Sequence, residues 1–329
     1  MFFPSVDFQG VRMRDAELAE EMTRQGWSAV CLSARLSLSA RLDAIRRFKP
    51  QIIVLKSARS PLQRTGFYPG AKVVFDIDDA DHQDEALVDQ ITEIAKTADR
   101  ILCGSRYLAE WYRQHNDNVD VVWTGMQMRD GATTPQANRG PVIGWAHSHP
   151  AGYPREAAFT LDVMTALSRA VPEARLRIYG WDDRDERLSA LAEDAASRGI
   201  PLETRPFMSP DAFHASLQEL AVGLQIIAPD VPYSQGKSFG KILNYINADV
   251  PVVATDALEH PHFFNSGTDG VLAPHDAGQW AEAIAPLLTD PAQREAMAAA
   301  AKEKMRLTLS LPVIAQQVGK IFDEMLMRG

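Results

Sequence analysis

The sequence predicts an α/β chain built from two doubly wound, parallel-sheet domains. Three observations carry this. Short runs rich in β-branched residues alternate with amphipathic segments of helical period almost from end to end, the pattern of βαβ crossovers. Runs such as Gln51-Ile52-Ile53-Val54-Leu55 show no period-two alternation, as strands covered on both faces do. A polar Gly/Pro/Thr stretch without periodicity, residues 130–141, divides the alternation into two series.

In the first series the strands are expected at 27–32, 51–55, 72–75, 100–103 and 119–122. Helices are expected at 13–25, 85–98 and 106–115, the last with Ser105 as its N-cap. The second series places strands at 142–145, 175–179, 202–206, 222–227, 251–254 and 270–272, with helices at 155–171, 184–198 and 238–247. The domains are therefore expected at 1–135 and 140–308. A final apolar stripe of Val313, Ile314, Val318, Ile321, Phe322, Met325 and Leu326 marks a helix within 309–329. That stripe needs a surface, and the N-terminal domain is the candidate.

A chain of 329 residues can bury two domain-sized cores, and 46% hydrophobic with 23% charged residues is the composition of an ordinary globular protein. No apolar run approaches the length of a membrane span. The start, Met1-Phe2-Phe3-Pro4, has neither a basic n-region nor a long apolar h-region, so no signal peptide is expected. Two cysteines, Cys31 and Cys103, make no disulfide framework, which fits a reducing cytoplasm. The net charge of −9 argues against a nucleic-acid binder. Residues 1–72 nevertheless carry twelve Lys+Arg against six Asp+Glu, with Arg41, Arg46, Arg47, Lys49, Lys56 and Arg59 close together. Such a face is either solvated surface or a docking surface for an anionic acceptor or an acidic membrane leaflet.

Parallel α/β sheets bind ligands beyond the carboxyl ends of their strands, where loops feed helix N-termini that attract phosphate. The G-x-G-x-x-G fingerprint of dinucleotide enzymes is missing, which weakens a dehydrogenase reading. The loop from Pro229 to Ser238 leads into a helix through Lys237-Ser238-Phe239-Gly240-Lys241. Ser238 is a fitting N-cap, and two ammonium groups beside a helix start suit a diphosphate. Surface charge without a ligand is the alternative.

The stretch Lys237-Ser238-Phe239-Gly240-Lys241-Ile242-Leu243-Asn244-Tyr245, continuing into Pro251-Val252-Val253-Ala254-Thr255, resembles the donor-site helix and following strand of family-4 glycosyltransferases. Val142-Ile143-Gly144-Trp145-Ala146-His147-Ser148 is similar to their first C-domain strand, "IGW-x-G-S". Ala98-Asp99-Arg100-Ile101 and Val73-Val74-Phe75-Asp76-Ile77-Asp78-Asp79 resemble N-domain motifs, in the same order along the chain. The resemblance implies the GT-B fold, two Rossmann-like domains facing each other across a cleft, and sugar transfer from a nucleotide-diphosphate donor.

On that resemblance the donor would lie against Lys237, Ser238, Lys241, Asn244, Gly144, Trp145, His147 and Ser148, with Gly10 and Arg12 of the first loop beside it. The family's two glutamates, eight positions apart, fall here on Gly236 and Asn244. An amide can still bond a ribose hydroxyl, and a glycine offers no side chain. The run Asp76-Ile77-Asp78-Asp79-Ala80-Asp81-His82 gathers four carboxylates and an imidazole. Crowded carboxylates raise one another's pKa, so Asp79 or His82 is the candidate base. The same run could hold Mg²⁺ or merely cap a helix, although the GT-B reading calls for no metal. No cofactor is expected beyond the donor itself. The partners expected are the nucleotide-sugar, a glycan, lipid or small acceptor, and the inner membrane face through the basic N-terminal residues. A binding protein that has lost turnover is the competing function.

Overall fold

The computed structural model describes residues 1–5, 12–237 and 239–327. Its strands are short, most of them apolar, and among the described residues every strand pairing is parallel. Side chains 52–55 are all buried, so both faces of the sheet are covered and helices must supply the cover.

The first unit takes Met1–Met128, Val231–Phe239 and Leu307–Gly329. Its elements run β1 (Phe2–Pro4), α1 (Ala16–Arg24), α2 (Leu38–Phe48), β2 (Ile52–Lys56), β3 (Lys72–Ile77), α3 (Val88–Thr97), β4 (Arg100–Cys103), α4 (Arg106–Tyr112) and β5 (Val119–Val121). The sheet order is β1-β2-β3-β4-β5. The strand expected at 27–32 is reduced to one parallel bridge, Cys31 to Phe2. On the side of β2 away from β3 the partner is β1, three residues that carry no readable period. From β1 the chain passes through α1 to that bridge at one edge, then crosses by α2 to β2 on the other side. The β1/β2 boundary is therefore the topological switch point of this sheet, where loops diverge and ligands find room.

The second unit takes Arg129–Asp230 and Gly240–Arg306. It begins with β6 (Val142–Ala146), α5 (Pro154–Leu167), β7 (Arg175–Trp181), α6 (Glu186–Ser197), β8 (Leu202–Pro206), α7 (Pro210–Leu217) and β9 (Val222–Gln225). The chain then runs through the short helix α8 (Pro232–Gln235), which belongs to the first unit. Back in the second unit come α9 (Gly240–Asn247), β10 (Val252–Thr255), α10 (His260–Phe263), β11 (Val271–Ala273), α11 (Ala277–Thr289) and α12 (Pro291–Thr308). The order β11-β10-β9-β6-β7-β8 puts the switch point between β6 and β9. Trp145, Leu161, Leu176, Leu224 and Trp280 fill the core. The final helix, α13 (Leu311–Met327), buries its stripe on the first unit, with Phe322 edge-on to Trp27 at 5.8 Å. Among the described residues, no helix is long and apolar enough to cross a membrane.

Of the basic residues grouped near the N terminus, three are spent internally. Arg41 is fully buried, bonded to Gln63 and Tyr68 and placed over the Phe3 ring. Lys56 and Arg59 pair with carboxylates described below. Arg46, Arg47 and Lys49 are exposed.

His260 is buried at the start of α10, its Nδ1 2.7 Å from the Thr255 carbonyl oxygen. Burial, only partly offset by that hydrogen bond, pushes its imidazole down from the ordinary 6.5 to about 4. The unfolded chain thus binds a proton below 6.5 that the folded chain refuses until about 4, so stability falls with pH through this window. The loss attributable to His260 is roughly 3 kcal/mol. Urea unfolding between these pH values should show a shallower pH dependence for His260→Gln than for the parent protein.

Candidate functional site

At the carboxyl end of the first sheet, Asp76 ends up inside the protein because β3 continues to Ile77 beneath the surface. Arg14 meets it bidentately, Nε and Nη2 donating to the two carboxylate oxygens at 3.0 and 2.7 Å. The remaining Arg14 nitrogen donates to the Val122 carbonyl at 2.6 Å. Lys56, the last residue of β2, lies 3.0 Å from Asp76 and also pairs with Asp78. Burial alone would raise the Asp76 carboxyl, but the Arg14 and Lys56 charges outweigh it and hold it below the usual range. Removing one member of such a set strands the others in a medium that cannot solvate them. Asp76→Ala should therefore cost about 3–5 kcal/mol of stability by chemical denaturation.

A second set follows on the loop after β3. The Arg59 Nη2 donates to Asp79 at 2.6 Å and to Asp81 at 2.7 Å, and its Nε also reaches Asp81. The Ser57 hydroxyl donates to Asp81 Oδ2 at 2.8 Å, from a backbone held at φ 59. Lys237 Nζ stands 3.1 Å from Asp79 and 4.8 Å from the centre of the Tyr233 ring. The Tyr233 hydroxyl accepts from Arg59 at 3.1 Å. The mutual raising expected of crowded carboxylates is reversed at Asp79: burial raises it, but Lys237 and Arg59 together hold it well below the carboxylate range. Cations from residues 56, 59 and 237 alternate with the acids, which sequence order conceals. Gly236 is bound by sterics, since a Cβ there would lie 2.6 Å from the Ala80 Cβ and 2.8 Å from its backbone nitrogen.

His82 is buried and stacked on Trp111, ring centres 4.8 Å apart, with Tyr107 and Tyr112 alongside. Its Nδ1 has no hydrogen-bond partner, and burial, opposed by Asp81, lowers its pKa. The imidazole is thus neutral near pH 7 but covered, and not brought to Asp79's cations. Arg12 pairs with Glu20 at 2.8 Å on the surface. Both residues border a cavity of about 700 Å³ beside α1, together with Asp15, Cys31 and Ser33. Burial raises the Asp15 carboxyl. Gly10 and Ser238 lie outside the described residues.

In the second unit Gly144 and Trp145 are core positions, inside β6 rather than beyond it. A Cβ on Gly144 would meet Leu220 at 2.2 Å, and its carbonyl accepts from the Tyr245 hydroxyl at 3.1 Å. Trp145 is fully buried, with no partner for Nε1. His147 and Ser148 do lie past the end of β6, at the switch point. The His147 ring lies 4.7 Å from Trp145 and 4.3 Å from Tyr153, and Ser148 is exposed. Lys241 is the second residue of α9 and half-buried, and Lys237 precedes that helix by three positions. Asn244 donates its amide to the Gly240 carbonyl at 2.7 Å, within the same helix.

Arg14 and Asp15 are not singled out from the sequence, and Arg59 enters only as one of a basic run. A lone arginine in an amphipathic segment looks like surface, whereas Lys56 at the end of an apolar strand beside a switch point was a readable sign. Among the described residues no group of three or more His, Cys, Asp or Glu side chains is arranged to hold a metal ion.

The chain is thus two Rossmann-like units, each a parallel sheet with its own switch point, and comparison with known proteins agrees with a GT-B fold. Residues 141–290 match the family described as Glycosyl transferases group 1. A glycosyltransferase from Rickettsia africae is similar at 13% identity and a TM-score of 0.72, over 100% of this chain and 98% of its own. Anabaena Alr3699/HepE in complex with UDP-glucose is similar at 12% identity and a TM-score of 0.72, over 98% and 99%. Sucrose-phosphate synthase from Thermosynechococcus elongatus is similar at 15% identity and a TM-score of 0.67, over 89% and 78%. These structural likenesses speak for the fold. No curated protein matches the sequence significantly. The fold is GT-B, and residues 141–290 form a domain of the Glycosyl transferases group 1 family.

Proposed function

We propose that the protein moves a sugar from a nucleoside-diphosphate donor to a hydroxyl of a glycan, lipid or small acceptor, without a metal ion or other cofactor. The observation that carries the reading is the placement of cationic and polar side chains at the strand ends where parallel sheets bind phosphates. That Anabaena Alr3699/HepE is seen with UDP-glucose supports a nucleotide-sugar donor. In this reading Lys237, Ser238 and Lys241 hold the diphosphate, and Asn244 bonds a ribose hydroxyl. His147 and Ser148, with Gly10 and Arg12, approach the remainder of the donor.

As the bond from the sugar's anomeric carbon to phosphate breaks, its electron pair leaves with the nucleoside diphosphate, and the ammonium groups stabilise that charge. A new bond forms to the acceptor oxygen, whose proton passes to a base. Asp79 is a poor base while ion-paired and His82 is covered, so the role falls to Asp15. Its carboxyl is raised by burial and borders a cavity of about 700 Å³ able to admit an acceptor. A cytoplasmic location, with Arg46, Arg47 and Lys49 facing the inner membrane surface, completes the proposal.

Thermal-shift measurement against a panel of nucleotide-sugars tests the donor. Stabilisation with turnover supports transfer, stabilisation without turnover marks a binding protein, and silence across the panel defeats the proposal. Lys241→Ala should weaken donor binding roughly ten- to a hundredfold, the worth of a charge-assisted hydrogen bond. Near-normal affinity would remove Lys241 from the site. Asp15→Asn should lower kcat roughly a hundredfold or more while donor affinity stays within a factor of about two. An unchanged kcat would take the base role from Asp15.

A further inference from the structure

We propose that Arg59 and Lys237 form a two-cation clamp for a donor phosphate, and that Asp79 is a tethered anion holding the clamp until the donor arrives. The inference rests on the donor reading above, which names Lys237 but gives Arg59 no role. Asp79 offers one oxygen to each cation, Oδ2 to Arg59 at 2.6 Å and Oδ1 to Lys237 at 3.1 Å. The two cations come from separate loops, one after β2 and one before α9, and they converge on a single carboxylate. An oxyanion with two oxygens facing two donors is the geometry that a phosphate also presents.

Each cation is held in place by more than Asp79. Arg59 is anchored by Asp81, which is almost wholly buried and bonded in turn by Ser57. The Tyr233 ring lies under Lys237, and its hydroxyl bonds Arg59. Release of Asp79 would leave both cations positioned by these other partners. Asp79 itself is only partly covered, with 28% of its side chain exposed, whereas Asp81 is at 2%. One acid is built in and the other can swing out. Gly236 lets the second loop come this close, because a side chain there would collide with Ala80 next to Asp79. The donor's phosphate takes the place of Asp79 by exchange of ion pairs, with no net change in the number of charges paired.

Isothermal titration with UDP, and with ADP and GDP in parallel, decides the matter in four proteins. The parent should bind at least one of these nucleotides. Asp79→Asn, which removes the competing anion, should tighten that binding about five- to tenfold, the gain when a mostly occupied closed state is abolished. Arg59→Lys keeps the charge facing Asp81 but loses the planar fork, and should weaken binding about three- to tenfold. Lys237→Ala should weaken it at least tenfold. If Lys237→Ala weakens binding while Asp79→Asn leaves it unchanged or weaker, the clamp is overturned and the donor reading stands. If Lys237→Ala binds as the parent does, Lys237 is no donor ligand and the clamp falls with it. If the parent binds none of the three nucleotides, the donor reading itself fails.

Discussion

The bidentate pair between Arg14 and Asp76 is the constraint on which the first unit's strand ends depend. It is buried on both sides, at 6% and 3% side-chain exposure, so neither charge can be satisfied by water. One guanidinium therefore joins β3 to the approach of α1, and its third nitrogen fixes the carbonyl of Val122 just past β5. Lys56 adds the end of β2 to the same carboxylate. Buried ions cost more to desolvate than an isolated pair returns, and such a set persists only when nearly every donor and acceptor is used. That requirement is met at Asp76, whose two oxygens receive three N–H donors. The loops beyond are hung from fixed points and can carry chemistry without carrying the fold.

The second unit solves the same positioning problem without charge. Helix α9 is laid on the sheet by two glycines: the Tyr245 ring occupies space that a side chain on Gly223 would need, 2.6 Å from its ideal Cβ. The Tyr245 hydroxyl then reaches the Gly144 carbonyl at 3.1 Å. The helix cannot slide without losing a buried hydrogen bond, so Lys241 at its start and Asn244 one turn in inherit a fixed place. Gly144 thus acts at one remove, by seating the helix rather than by touching a ligand. At the neighbouring strand end, Gly180 adopts φ 81, and a Cβ there would fall 2.0 Å from the His147 carbonyl oxygen. A glycine in that conformation brings β7's exit beneath the loop after β6.

Sheet direction and helix placement were legible because each βαβ crossover writes two periods into the sequence, and those survive any detail of packing. What one dimension could not disclose was pairing. Asp76, Asp78, Asp79 and Asp81 read together as a run of mutually repelling acids, yet their partners are residues 14, 56, 59 and 237. The sign of the pKa shift at Asp79 follows from those distant partners and opposes the one that spacing suggests. Arg41 teaches the same lesson in reverse. It belongs to a basic run, and the fold buries it over Phe3 among hydrogen-bond acceptors. Strand β1 is hidden for a different reason, since three residues cannot display a period.

Gly236 and Asn244, where the sequence resemblance expects glutamates, have separate physical accounts. Asn244 has spent one amide hydrogen on its own helix, bonding Gly240 one turn back. A carboxylate could not make that bond, so the amide serves α9 as a local brace. At Gly236 the determining factor is space, because Ala80 lies against the bare Cα. The carboxylate beside Lys237 is then Asp79, contributed by the loop after β3 rather than by the residue preceding the lysine. An acid on the lysine's own turn would be fixed there, whereas one from another loop can withdraw. The bare Cα at Gly236 and the carboxylate that reaches Lys237 from another loop belong to the same close approach.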